Sequence, residues 1–256
     1  MYKRPRIIPC LTMQHFDLVK TINFKNPRYI GDPVNSVKIF NNKDVDEMCI
    51  LDITATVEDR EPDLEFLHEI ASEAFMPLGY GGGIKTLDQA KEIFRIGYEK
   101  VILNSLLFDN PGEVRRIVDF AGSQSVVACV DYKKDLLGRT YVVTHDGRDK
   151  IKKDITSIIE YVMDLRVGEI LLTAVDFEGK MEGYDLDTAR RIVDNVKVPV
   201  ILNGGAGRIE DIADAFKMGA DAVAVSSFFV YYGENKAVLI NTPTENEYLD
   251  KGIYEE

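Results

Sequence analysis

Eight short apolar runs punctuate the chain: "RIIPCL", "MCILDIT", "FMPLGY", "KVILNS", "SVVACVDY", "EILLTAVD", "PVILNG" and "DAVAVSS". They are apolar at consecutive rather than alternate positions, which suits strands covered on both faces, as in a parallel sheet. Stretches with helix signals lie between them. In "GDPVNSVKIF", Asp32 stands as an N-cap with Pro33 at the first helical position. "TLDQAKEIFRIGY" and "RIEDIADAFKMGA" predict amphipathic helices that end near Gly97 and Gly219, plausible C-terminal caps. Eight strand–helix units without a composition break or a Ser/Pro-rich linker predict one α/β domain over 1–256, a (β/α)8 TIM barrel. An open doubly wound sheet is the alternative.

A repeat strengthens the barrel reading. "GGGIKTLDQAKEIFRIGYEKVILNS" from Gly81 aligns without a gap to "NGGAGRIEDIADAFKMGADAVAVSS" from Asn203. Gly82 pairs with Gly204, Gly83 with Gly205, Phe94 with Phe216, Gly97 with Gly219 and Ser105 with Ser227. Agreement at glycines and strand-end hydroxyls goes beyond shared hydrophobicity. The chain therefore reads as two half-barrels, about 1–122 and 123–240, followed by a tail, 241–256. The first strands of the halves, "IIPCLTM" and "VVACVDY", then correspond, and Thr12 stands where the second copy has Asp131.

Composition narrows the partners. The chain has 256 residues and a formal net charge of −12, with its basic residues scattered, which argues against nucleic acid and anionic membrane. Backbone amides can still bind phosphate on an acidic protein. Cys10, Cys49 and Cys129 each lie in an apolar run with no CxxC pairing, so buried reduced thiols are expected rather than zinc or disulfides. The basic start "MYKRPRIIPC" has an apolar run too short for a signal peptide, and no stretch reaches 18 apolar residues. A cytoplasmic protein with no metal or cofactor is expected.

In a barrel, chemistry belongs at the C-terminal ends of the strands. "GYGGGI" and "LNGGAG" each follow a strand and precede a helix, so Gly82, Gly83, Gly204 and Gly205 predict two phosphate cradles. Asn104, Ser105, Ser226 and Ser227 end the next strands and could complete them, which points to a two-phosphate ligand. Asp52, Asp131 and Asp176 end or follow apolar runs, and Thr173 and Asn203 are further strand-end polar residues. An N-cap or loop hydrogen bond fits Asp52 and Asp176 about as well as catalysis does; Asp131, on the first strand of its half, is the better catalytic candidate. Arg6, Glu47, Lys100 and Glu169 stand at strand starts. They are either solvated charges or a ring around the axis at the bottom of the barrel.

From Arg6 to about Ser227 the chain resembles the cyclase subunit of imidazole glycerol phosphate synthase. "RIIPCL", "GDPV", "LDITA", "GGGI", "GSQSVV", "GEILLT", "GYD" and "GGAG" carry the resemblance. It implies a barrel that docks a glutaminase subunit at its bottom face. Ammonia from glutamine passes up the axis to attack a bisphosphorylated substrate at the top. The resemblance also implies that Arg6, Glu47, Lys100 and Glu169 form the ammonia gate, and that Lys20 is the family's loop lysine. Its phosphate sites fall on Gly83, Asn104 and Ser105 at one end and on Gly205 and Ser226 at the other. Two aspartates act as general acid and base in that family. The second matches Asp131, and the first falls on Thr12.

Thr cannot exchange a proton near neutral pH as a carboxylate does, and such a group contributes about 10²–10⁴-fold in rate. Asp17 lies five residues downstream in the loop, without sign that it reaches the same point. Asn203 replaces the small hydroxyl residue usual before "GGAG". The tail "FFVYYGENKAVLINTPTENEYLDK" is unlike the cyclase's closing helix. It looks like that of a paralogous branch found in bacterial surface-polysaccharide gene sets. That branch is thought to work with a dedicated glutaminase and a separate amidotransferase that turns an acetamido sugar into an acetamidino sugar. A true histidine-pathway cyclase, a non-catalytic activator of the glutaminase, and a related phosphoribosyl isomerase are the competing readings.

Overall fold

The computed structural model describes residues 4–255; the outermost positions of the expected domain, 1–3 and 256, lie outside the described residues, including the first three of the basic N-terminal segment. Strand β1 (Arg6–Gln14) runs on into an antiparallel hairpin, β2 (Asp17–Ile22) and β3 (Lys25–Gly31), before helix α1 (Pro33–Asn41). Then come β4 (Met48–Asp52), α2 (Leu64–Ser72), β5 (Leu78–Gly81), α3 (Leu87–Ile96), β6 (Lys100–Leu103), α4 (Leu106–Asp109) and α5 (Pro111–Ala121). The second half opens in the same way: β7 (Val126–Lys134) extends into β8 (Thr140–Thr144) and β9 (Asp149–Ile151). It continues with α6 (Ile155–Asp164), β10 (Glu169–Ala174), α7 (Leu186–Val193), β11 (Val200–Asn203), α8 (Ile209–Met218) and β12 (Ala222–Val225).

Strands β1, β4, β5, β6, β7, β10, β11 and β12 pair in parallel in that order, and β12 pairs with β1. The sheet is closed. This is the (β/α)8 barrel, and all eight apolar runs supply its strands. The hairpins after β1 and β7 were not foreseen in the sequence; each grows from the first strand of its half.

The local signals act as their chemistry requires. The Asp32 carboxylate accepts from the Asn35 amide ahead of Pro33. Thr86 and Gln89 cap α3 reciprocally, and Gly97 and Gly219 end α3 and α8 at φ of 122° and 114°. Gly82 and Gly204 have a packing reason as well. A Cβ at Gly82 would stand 2.6 Å from the Asp52 carbonyl oxygen, and one at Gly204 would stand 2.7 Å from that of Ala174. These are repeat-related contacts with the preceding barrel strand, β4 in one half and β10 in the other.

Apolar side chains on the outer face of the barrel merge with the helices into the main core. A second cluster fills the barrel itself, with Ile8, Cys10, Cys49, Ile102, Cys129 and Leu171 among its members. All three cysteines are free and buried. After β12 the chain makes a short helix α9 (Ser227–Val230), a two-residue-per-strand hairpin β13 (Tyr231–Tyr232) and β14 (Ala237–Val238), and α10 (Glu245–Asp250). This replaces a long closing helix. The tail buries Tyr248, Ile253 and Tyr254. Arg4 stacks on the Tyr254 ring at 4.4 Å, and the Tyr254 hydroxyl donates to Asp46 at 3.5 Å. Among the described residues, no helix is long and apolar enough to cross a membrane.

Candidate active site

A cavity of about 440 Å³ opens at the C-terminal ends of the barrel strands. That volume is in the range of small-molecule sites. Thr12 and Asp131, the repeat-related pair, both line it, as do Lys20, Thr173 and Asn203. Thr173 is registered beside Asp131 on one side and Asn203 on the other, so the three form one polar row across adjacent strands. Asn203 donates to the Thr173 hydroxyl at 3.2 Å.

Asp131 is 8% exposed. Burial lifts its carboxyl to about 6, although hydrogen bonds from Cys129 and Thr173 oppose the rise. The Asn104 amide also donates to it, at 3.1 Å. A carboxyl held near 6 exchanges protons readily at neutral pH. Thr12 is different. Its hydroxyl donates to the Val19 carbonyl across the β1–β2 hairpin at 2.5 Å, so its proton serves the backbone.

Lys20 lies within β2 rather than in a free loop and is buried against Glu178, 2.5 Å away. Glu178 also accepts from the Thr21 hydroxyl at 3.0 Å and the Phe24 amide at 3.2 Å. The other strand-end aspartates are bound up in local structure. Asp52 lines the cavity, but one of its oxygens accepts from the amides of Thr54 and Ala55 and the Thr54 hydroxyl, all at 3.0 Å. Asp176 lies beyond the end of β10 and accepts from the Lys134 amide at 2.7 Å, away from the cavity lining. Hydrogen bonds to the backbone, in a turn for Asp52 and across to β7 for Asp176, account for both.

All eight cradle residues line the cavity, but the two cradles are unequal. In the first, the Gly83 amide donates to the Thr56 hydroxyl at 3.3 Å, and the His145 amide donates to the Ser105 hydroxyl at 3.3 Å. Asn104 is divided between Asp131 and the Cys129 carbonyl. In the second, the hydroxyls of Ser226 and Ser227 are buried with no hydrogen-bond partner among the described residues.

At the opposite end of the barrel the four strand-start charges close a ring. Arg6 reaches Glu47 at 3.0 Å and Glu169 at 2.9 Å; Lys100 reaches Glu47 at 2.7 Å and Glu169 at 3.0 Å. The four side chains are only 11–23% exposed. Each ion touches both ions of the opposite sign, the geometry needed to offset desolvation. Above Glu47 and Lys100 lies a small cavity of about 10 Å³ lined by Ile8, Cys49 and Gly79. It is near the size of one water-sized molecule. Ile102 and Ala224 line both this cavity and the large one above it.

Residues 6–236 match the family model described as "Histidine biosynthesis protein". That span holds the ring, the cavity lining and all eight barrel strands. The chain belongs to that family. It is similar to a protein of Leptospira borgpetersenii provisionally named imidazole glycerol phosphate synthase subunit HisF, at 45% identity over 96% of this chain and 98% of the relative. A Pseudomonas aeruginosa protein provisionally named as subunit hisF2 of the same synthase is 44% identical over 97% and 99%. The imidazole glycerol phosphate synthase subunit HisF of Petrotoga mobilis is 40% identical over 88% and 90%.

Within the barrel, sequence reasoning overlooked the turn between β8 and β9. His145 lines the cavity with its ring nitrogens 3.3 Å from Asp109 and 3.0 Å from Asp149. Asp146 lines it too, and burial lifts its carboxyl to about 6 against the pull of Arg148 and Lys133. Glu178, the partner of Lys20, was also overlooked. The "HDG" triplet signals a turn. It does not say that the turn folds back over the barrel mouth.

Proposed function

We propose that this chain is an ammonia-receiving barrel subunit that works with a glutaminase docked at its bottom face. The observation that carries this reading is the closed ring of Arg6, Glu47, Lys100 and Glu169, in line with the axial cavity and the large cavity above. A ring of four ions on the axis is costly to desolvate and unnecessary for folding alone. It suits a gate for a small neutral molecule the size of water. In this reading ammonia enters through the ring, passes Ile102 and Ala224, and reaches the cavity in which Asp131 handles protons.

The ammonia serves acetamidino-sugar formation for surface polysaccharide, with a separate amidotransferase, rather than ring closure in histidine synthesis. Two features support that assignment. Thr12 replaces the first cyclase carboxylate and its proton is committed to Val19. The tail also aligns with the provisionally named relatives, which match over 246–250 residues, whereas those named without that qualification match over 226–230. A histidine-pathway cyclase is the second reading, favoured by Asp146, a further carboxyl near 6 in the same cavity.

The test supplies the purified chain with the formimino-linked ribulosyl bisphosphate of the histidine pathway and excess ammonium at alkaline pH. Free ammonia bypasses the gate, so the assay reads the cavity's own chemistry. The expected result is no cyclisation above background, together with stimulation of a glutaminase subunit when the two are mixed. Rapid cyclisation supports the second reading. Failure to bind or stimulate any glutaminase rejects the ammonia-receiving role.

A further inference from the structure

The fifth barrel strand does not stop at the rim. β7 pairs with β10 as far as Tyr132, and from Asp131 onward β7, β8 and β9 form an antiparallel ribbon. The β8–β9 turn at one end of this ribbon brings His145 and Asp146 into the cavity lining. The β7–β8 turn is at the other end, above the mouth. The ribbon is charged unlike the chain as a whole. Residues 133–153 carry seven lysines and arginines against three aspartates, on a chain with a net charge of −12. Arg139, Arg148, Lys150, Lys152 and Lys153 are exposed. The ammonium groups of Lys152 and Lys153 enter no ion pair among the described residues. That of Lys150 lies 3.6 Å from the centre of the Tyr141 ring.

The β7–β8 turn adds an apolar tip. Leu136 and Leu137 are 105% and 77% exposed. One exposed leucine is ordinary. These two are adjacent, and the turn that presents them is fixed. The Asp135 carboxylate accepts from the Leu137 and Arg139 amides, both at 2.9 Å, and from the Arg139 guanidinium at 2.8 Å. The Asp135 amide in turn donates to the Arg139 carbonyl at 3.0 Å. An apolar tip already held in shape and flanked by cations suits a partner pocket rimmed by carboxylates.

We infer that the ribbon docks an acidic face of the enzyme that consumes the ammonia, with Leu136 and Leu137 as apolar anchors and Arg148, Lys152 and Lys153 as the charged rim. The inference rests on the ammonia-receiving reading and adds a second interface, at the end of the barrel opposite the ring. Position and charge together select the occupant. Ammonia leaving an open mouth takes up a proton in water and ceases to be a nucleophile. A partner seated on the ribbon stands over the mouth, beside the turn that carries His145 and Asp146. With the Thr12 proton held by Val19, the cavity lacks one acid–base arm, so the ammonia is consumed beyond it. A second copy docked ribbon to ribbon would set like charges face to face.

Binding of the purified full chain to the amidotransferase that forms the acetamidino group, measured by calorimetry at low and high salt, tests the inference. Leu136→Ser combined with Leu137→Ser should weaken binding about tenfold or more. Lys152→Glu combined with Lys153→Glu should do the same at low salt and much less at high salt. Both leucines are exposed, so their replacement should leave the melting temperature unchanged, which separates lost docking from lost folding. Stimulation of a glutaminase subunit should be the same for all the variants, because the ring lies at the other end of the barrel. No binding, binding indifferent to these substitutions, or sedimentation showing that the ribbon joins two copies of this chain overturns the inference. If the glutaminase is still stimulated in that event, the ammonia-receiving role stands without this interface; loss of that stimulation from the unaltered chain removes the role itself.

Discussion

At the scale of single residues, Thr12 and Asp131 occupy repeat-related places and do different physical work. The Thr12 hydroxyl ties β1 to β2 through the Val19 carbonyl. Thr12→Val keeps the shape and loses one hydrogen bond, at about 1 kcal/mol. Thr12→Asp, the change that would restore a second carboxylate, sets an acceptor against that carbonyl and should cost about 1–3 kcal/mol. Urea unfolding of the two variants checks the order; an aspartate variant as stable as wild type would mean that the hairpin adapts. Asp131 is costly to the fold in the other direction. Unfolded, its carboxyl titrates near ~3.9, and folded, at about 6. Between those values the folded state holds the extra proton, so stability falls as pH rises and stays lower above pH 6. Asp131→Asn should therefore be the more stable protein at pH 8, by about 2 kcal/mol, with the advantage gone near pH 4. Melting curves across that range, variant against wild type, would expose an error of sign. The identity of these two residues was legible in the repeat. The inequality of the cradles was not, because Thr56 and His145 come from segments 27 and 40 residues away in sequence from the groups they engage.

At the scale of elements, the barrel strands were legible because burial on both faces leaves an unbroken apolar run. The hairpins were not, for the converse reason. "DLVKTI" and "TYVVT" are short, flank the barrel mouth, and pair with the extended ends of β1 and β7 rather than with another barrel strand. Their pairing depends on how far the first strand of each half continues, which hydrophobicity does not encode. The consequence for the site is large. β2 carries Lys20 to Glu178, and the β8–β9 turn carries His145 and Asp146 over the cavity. Asp176 shows the same limit from the other side. It follows an apolar run like a catalytic carboxylate, yet β10 stops at Ala174 and the side chain turns to the Lys134 amide. Helix ends fared better, since Asp32, Pro33, Gly97 and Gly219 act within one turn of chain. The tail was recognisable as unlike a closing helix, but its docking beside Arg4 and Asp46 depends on contacts between opposite ends of the chain.

At the scale of the whole molecule, the ring joins the halves that the repeat defines. Arg6, Glu47 and Lys100 come from the first half and Glu169 from the second. Each carboxylate is shared by both cations, so neither cation is independent of the other. Arg6→Met leaves Lys100 between two carboxylates, and Lys100→Met leaves Arg6 there; each should cost about 1–3 kcal/mol. The double variant leaves Glu47 and Glu169 facing each other on a narrow axis without a cation. Its cost should exceed the sum of the singles by about 1 kcal/mol or more, the coupling expected of groups in one network. Urea unfolding of the four proteins at one pH and low salt measures the coupling. Additive costs would mean that solvent already screens the ring. It would then be four separate surface charges rather than a desolvated gate across the barrel axis.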